Sequence, residues 1–279
     1  RGLGDVYKRQ YQIYLVSDST GETIDRIFIA LRSQFTKFKY KVHHYSFTRT
    51  ENQINQIIKD ASKHSKPMIL FTLVDENLNK LISNSSKKNN IPCYGVLGDL
   101  IEKFSKDLNQ KSLSIPSRQH KLNDEYYDRV EAIQFTMNHD DGKDLKDVEE
   151  SDIIILGVSR TSKTPTSIYL ANRGYKTSNI PLINENSVPK SIKNNKKLCI
   201  VGLTTDPERL IDLRKNRLRS LKESEKSNYT NLRKITEEVK LAKKTFKKYN
   251  WPVIDVTRKS VEETAASIIK IHEIKNKNV

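Results

Sequence analysis

The chain has 279 residues, a formal charge of +16 and 35% hydrophobic residues, enough for one large domain or two small ones. No apolar stretch approaches a membrane-spanning helix, no signal segment is visible, and the two cysteines, Cys93 and Cys199, sit in apolar runs, which points to a reduced, cytoplasmic protein rather than a disulfide scaffold or a membrane protein. The lysines are scattered and no aromatic-interleaved basic ribbon appears, so the charge reads as the bias of an AT-rich genome before it reads as a nucleic-acid surface.

Asp5 to Gln10 back-translates to a transposon end used in sequencing libraries, so residues 1–10 are expected to be an assembly scar. Arg1, Lys8 and Arg9 against Asp5 make +2 of the charge, leaving +14. Residues 11–16 form an apolar run that predicts a buried strand. A polar turn, Ser17-Asp18-Ser19-Thr20-Gly21-Glu22-Thr23, follows it, and a helix through Ile24, Ile27, Phe28 and Leu31 follows the turn. Ser19, Thr20 and Gly21 at a helix start could cradle an anion, with Asp18 to take a proton or hold a metal; plain helix capping would also explain the turn. Further strands are expected at 42–47, 68–74 and 93–97, separated by helices at 51–63 and 78–86. His43 and His44 are strand neighbours, so they face opposite sides and cannot chelate together.

Between residues 99 and 147 the strand pattern lapses. The stretch holds Ser117-Arg118-Gln119-His120, a polar cluster that with Lys121 could meet phosphate, and His139-Asp140-Asp141-Gly142, read as a solvated turn in preference to a metal site. The alternation resumes with the apolar run 153–156 and continues with strands at 198–203 and 253–256. Asp206 opens a helix, residues 215–248 read as one long charged helical stretch, and Ser260 with Glu263 form a capping box. No internal repeat is evident. The whole predicts an α/β protein with mostly parallel, layered sheets: a single unit over 11–273, with sub-lobes at 11–110 and 146–273 and a P-loop-type nucleotide-binding half in the C-terminal part.

That half rests on Gly157-Val158-Ser159-Arg160-Thr161-Ser162-Lys163-Thr164. Strand, tight loop, Lys-Thr and helix is the context of a phosphate-binding P-loop: backbone N–H groups and the helix N-terminus face an anion, the lysine adds mobile charge and the threonine offers a hydroxyl to Mg2+. Ser162 stands where the pattern expects its second glycine, at some conformational cost. Pro165 suits a first helical turn. An ordinary hydroxyl-rich strand-to-helix turn is the alternative.

In order, the turn at 17–23, Phe71 to Asp75, residues 117–122, residues 139–142, Gly157 to Thr166 and Leu203 to Leu210 resemble the pyruvate, phosphate dikinase regulatory proteins, a family that includes the phosphoenolpyruvate synthase regulatory proteins. The resemblance covers Tyr11 to about His272. It implies an ADP-dependent kinase that inactivates the dikinase on a threonine and a phosphorylase that uses inorganic phosphate to remove the group as pyrophosphate. Phosphoenolpyruvate synthase as target and an unrelated P-loop kinase or NTPase are the alternatives. On that reading Lys163 meets the group in flight and ADP lies along 157–164. Asp18, or less readily Asp206, takes the threonine proton, and the turn at 19–21 offers a second anion site. The oligomeric state stays open, a homo-oligomer included.

Overall fold

The computed structural model describes residues 10–118, 124–193, 195–221 and 228–277. The chain divides into two compact units at residues 121/122.

The first unit is built from β1 (Tyr11–Ser17), α1 (Glu22–Arg32), β2 (Tyr40–Tyr45), α2 (Glu51–Ala61), β3 (Pro67–Thr72), α3 (Glu76–Lys88), β4 (Cys93–Gly95) and α4 (Gly98–Asp107). Its sheet has the order β2-β1-β3-β4, and every pairing is parallel. The period-2 alternation of β1 explains its two faces. Ile13 and Leu15 pack with Ile24 and Phe28 of α1 on one side. Tyr14 and Val16 pack with Ile54, Ile57 and Ile82 of α2 and α3 on the other.

The second unit starts with α5 (Asp124–Asn138), so part of the stretch without strand pattern belongs to it. There follow β5 (Ile153–Gly157), α6 (Lys163–Ala171), β6 (Thr177–Pro181), α7 (Lys190–Lys193), β7 (Cys199–Thr204), α8 (Pro207–Ser220), α9 (Leu232–Lys248), β8 (Val253–Asp255) and α10 (Val261–Lys277). The order β6-β5-β7-β8 is again all parallel and repeats the layout of the first sheet. Ile154 and Leu156 face Leu210, Ile235, Val239 and Phe246 of α8 and α9. Ile153 and Ile155 face Leu170 of α6 and Ile268 of α10.

Three findings differ from the sequence reading. Strand β6 was not expected: its residues Thr177, Ser178 and Asn179 are polar yet fully buried, with no apolar alternation to announce them. The stretch 215–248 is not one helix: α8 ends at Ser220, and Asn231 caps α9 by accepting a bond from the Lys234 N–H. A duplicated layout exists without a duplicated sequence, because strand order is set by where hydrophobic faces fall and not by residue identity. The expected capping box is present, with Ser260 N donating to Glu263 Oε2 at 2.8 Å and Glu263 N to Ser260 Oγ at 3.1 Å.

Open parallel sheets bind ligands beyond the strand carboxyl ends, where successive crossovers leave in opposite directions. In these orders that point lies between β1 and β3 in one unit and between β5 and β7 in the other. The two polar loops follow β1 and β5.

Candidate functional site

Gly157 ends β5 where no side chain fits. A Cβ there would lie 2.7 Å from Thr161 Oγ1 and 2.9 Å from the Leu203 carbonyl oxygen. The loop then turns through Arg160, at φ 74°, and Ser162, at φ 60°. Both are left-handed, so serine occupies the conformation for which the pattern uses glycine. Thr161 is buried and closes the loop on itself, its hydroxyl donating to the Val158 carbonyl at 3.0 Å.

Lys163, the first residue of α6, is only 6% exposed, and its Nζ donates to the Val158 carbonyl at 3.2 Å. Burial pushes its pKa down to about 8, against the pull of Asp141 and Asp140 and with a small push from Arg160 and Arg214. A lysine this dry keeps its charge loosely and gains by meeting an anion.

The motif His139-Asp140-Asp141-Gly142 is a turn, as expected, but not an idle solvated one. It folds as a 3-10 turn with Asp141 at φ 55°, lying against β6 and hydrogen-bonded to the start of α6. The Thr164 hydroxyl donates to Asp140 Oδ1 at 2.8 Å. Asn179 of β6 holds the turn in place: its Nδ2 donates to Asp140 Oδ1 and, at 3.3 Å, to Ser167 Oγ, while its Oδ1 accepts from the Asp141 N–H at 3.0 Å. Gly142, at φ 72°, packs close to Pro181. A hydroxyl and a carboxylate this close at a helix start are hard oxygen donors suited to Mg2+, which needs few protein ligands. Among the described residues no group of three His, Cys, Asp or Glu could hold a metal by itself. The exposed Asp141 carboxylate makes no hydrogen bond among the described residues.

Asp206 caps α8, accepting from the Glu208 and Arg209 N–H groups at 2.8 and 3.4 Å. In the first unit, Asp18 is buried and accepts the Val74 N–H at 2.7 Å. Burial raises its pKa, against the Val74 bond and the Arg49 charge. Asp18, Ser19, Thr20 and Gly21 line a cavity of about 180 Å3 together with Ser117 and Arg118. Ser117 Oγ donates to Ser19 Oγ at 3.0 Å and accepts from Arg49 at 2.9 Å. Gly21, at φ 94°, starts α1. Among the described residues no lysine lines this cavity. Gln119, His120, Lys121 and Leu122 lie outside the described residues.

Two buried residues that support the site were not singled out in the sequence, Asn179 at the Asp140 turn and Arg214 behind the loop. Asn179 carried no signal, being one polar residue of a strand that did not look like one. Arg214, 1% exposed in α8, sits behind the loop and pairs with Glu238 of α9 at 2.6 Å. The spacing of Leu210, Arg214 and Leu218 on one buried stripe is the signal that would have found it, since an arginine inside such a stripe needs a partner.

Parallel sheets with a strand–loop–helix crevice of this kind place the protein among the α/β nucleotide-binding folds. The family model described as kinase/pyrophosphorylase matches residues 13–269, and the chain belongs to that family, which brings a kinase-type phosphotransferase activity. It is 64% identical over 269 residues to the pyruvate, phosphate dikinase regulatory protein of Pelagibacter ubique, covering 96% of this chain and 98% of the relative. Proteins of the same name from Erythrobacter litoralis and Sphingopyxis alaskensis are 42% and 43% identical, over 97% and 94% of this chain and 97% and 96% of theirs. Among the described residues no helix is long and apolar enough to cross a membrane.

Proposed function

We propose that the chain is a bifunctional regulator of pyruvate, phosphate dikinase, acting in the cytoplasm on a threonine of that enzyme. In one direction the β-phosphoryl group of ADP passes to the threonine oxygen; AMP leaves and the hydroxyl proton is released. In the other, inorganic phosphate attacks the phosphothreonine phosphorus; pyrophosphate forms and the threonine oxygen recovers a proton. Family membership and the name its relatives carry support the reaction and the target. The observation that carries the reading to residues is Lys163, buried beneath a loop whose two left-handed residues turn the backbone as an anion-binding loop requires.

On this reading ADP lies along Gly157, Val158, Ser159, Arg160, Thr161, Ser162, Lys163 and Thr164, with Lys163 against the transferring phosphoryl group. Thr164 and Asp140 would hold Mg2+, which supplies neutralisation of charge on the phosphates. For the base we favour Asp141 over Asp18 and Asp206. It is exposed, makes no hydrogen bond among the described residues and interacts electrostatically with Lys163, whereas one oxygen of Asp18 accepts the Val74 amide in the first unit and one oxygen of Asp206 caps a helix. The cavity at Ser19, Thr20 and Gly21 is assigned to an oxoanion, which Arg118 and the start of α1 would meet. Gly21→Ala puts a Cβ 3.1 Å from Ser46 Oγ at a left-handed residue, and should weaken phosphate binding seen as phosphorus line broadening. Unchanged broadening removes that assignment.

Incubation with ADP, Mg2+ and the dikinase, followed by nucleotide chromatography and phosphopeptide mass spectrometry, tests the function. AMP and one phosphothreonine are expected, and absence of both would sink it. Modification of phosphoenolpyruvate synthase in place of the dikinase would move the target. ATP turnover without a protein partner would mean an unrelated P-loop kinase or NTPase.

A further inference from the structure

The second residue of the loop, Ser159, is held twice. Its hydroxyl lies 3.1 Å from the Tyr229 hydroxyl. Its carbonyl accepts from Arg214 at 3.4 Å. The two holders are themselves joined: Arg214 donates to the Tyr229 carbonyl at 3.1 Å, and its guanidinium stacks over the Tyr229 ring at 4.6 Å. Glu238 takes the remaining face of the guanidinium as a fork, at 2.6 and 3.4 Å. Only Arg214 Nε lacks a partner among the described residues.

A buried arginine is costly and persists where its fixed geometry is used. Here the use is orientation. In a planar trans peptide the carbonyl and the following N–H point opposite ways. Drawing the Ser159 carbonyl inward to Arg214 therefore turns the Arg160 N–H outward, away from the buried side. Arg160 sits at φ 74°, so the turn is strained and needs such a hold.

We propose that Arg214, Tyr229 and Glu238 form a clamp that presets the Ser159–Arg160 peptide for a phosphate group, and that this clamp sets the affinity of the loop for a nucleoside diphosphate. These are positioning residues, since none needs to touch the nucleotide. The inference rests on reading the loop as the nucleotide site. Glu238 also cancels a charge that would otherwise repel Lys163, so the clamp adds an arginine behind the loop without adding a bare cation.

The test uses the full chain and four variants. Tyr229→Phe keeps the ring under Arg214 and removes one hydroxyl. Glu238→Gln keeps the shape and removes the charge. Arg214→Lys keeps the charge and removes the fork. Lys163→Ala is the comparison. Melting temperature, amide hydrogen exchange over 157–162 in the ligand-free protein, and ADP affinity with Mg2+ by calorimetry are measured, with KM and kcat for the kinase reaction. Exchange over 157–162 should quicken in Tyr229→Phe and Glu238→Gln. ADP affinity should fall about fivefold in Tyr229→Phe and about tenfold in Glu238→Gln and Arg214→Lys, the worth of one neutral or one charged hydrogen bond. KM should rise with kcat within about twofold, a split that a general loss of folding would not produce. Wild-type exchange and affinity in Tyr229→Phe and Glu238→Gln, alongside lost binding in Lys163→Ala, overturn the clamp. Undiminished ADP binding in Lys163→Ala instead overturns the nucleotide reading, while the ligand-free exchange still reports on the clamp.

Discussion

At the scale of single residues the site is governed by what burial does to Lys163. Its pKa falls from the usual lysine value to about 8, so the cation is present below that pH and lost above it in the ligand-free protein. Between about 8 and the ordinary value of 10.5 the unfolded chain binds the proton that the folded chain has released, so folding stability rises with pH across that window. ADP favours the charged form. Its affinity should weaken above about pH 8, with proton uptake visible as a dependence of the binding heat on buffer ionisation. A pH-independent affinity from 7 to 9.5 would contradict this. Two backbone substitutions bracket the loop. Gly157→Ala should cost about 1–3 kcal/mol, because Thr161 and the Leu203 carbonyl leave no room for a methyl group. Ser162→Gly should stabilise by up to about 1 kcal/mol by relieving a left-handed serine, read as a shift in the urea midpoint at constant slope. The identity of Lys163 and its loop was legible because strand, loop and helix lie consecutively in the chain. The clamp partners at 214 and 238 were not, because nothing local ties them to residue 159.

At the scale of elements the informative case is β6. Strands of a parallel sheet are usually apolar on both faces, and β5 and β7 are. As an edge strand, β6 is instead covered by polar partners: Ser178 lies 2.7 Å from Ser151 Oγ, and the Thr177 N–H donates to Thr136 Oγ1 at 3.0 Å. The side chains of Ser178 and Asn179 are satisfied by bonds to segments distant in sequence, which no periodicity reports. Asn179 makes the strand part of the site by fastening Asp140 and the Asp141 amide to α6. Asn179→Ala should therefore cut the kinase rate at least about tenfold, more than its effect on melting would suggest. Restoring the rate by raising Mg2+ would show that the loss runs through Asp140. Asp141→Asn should lower kcat by about a hundredfold or more while ADP affinity stays within a few fold, as expected of a base that does not bind nucleotide. The helix caps, by contrast, were legible, since Asp206 and the Ser260–Glu263 pair act through neighbours two or three residues away.

At the scale of the whole molecule, each unit has its own sheet and its own pair of cores, one on each face. The second unit contains every residue assigned to ADP, Mg2+ and the base. A fragment from residue 122 onward should fold and bind ADP with an affinity within about threefold of the full chain, as seen by circular dichroism and calorimetry. A fragment that folds but does not bind would place part of the nucleotide site in the first unit. The α/β class was legible from the alternation of apolar runs and amphipathic stretches. The equal layout of the two sheets was not, because β6 hides the second strand of the second one.

Every strand pairing in both sheets is parallel, so each ladder closes only across a helix-length crossover, and no hairpin is available to start either sheet. Such non-local closure is slow. On the ribosome the first sheet can be completed once Gly95 has emerged. In the second, the central strand that precedes Lys163 gains Thr177–Pro181 on one edge first, receives its other neighbour only when Cys199–Thr204 has been synthesised some forty residues later, and has its Ile154 and Leu156 face covered later still, by α8 and α9. Until those helices are made, that apolar face leaves the nascent chain open to aggregation and to chaperones.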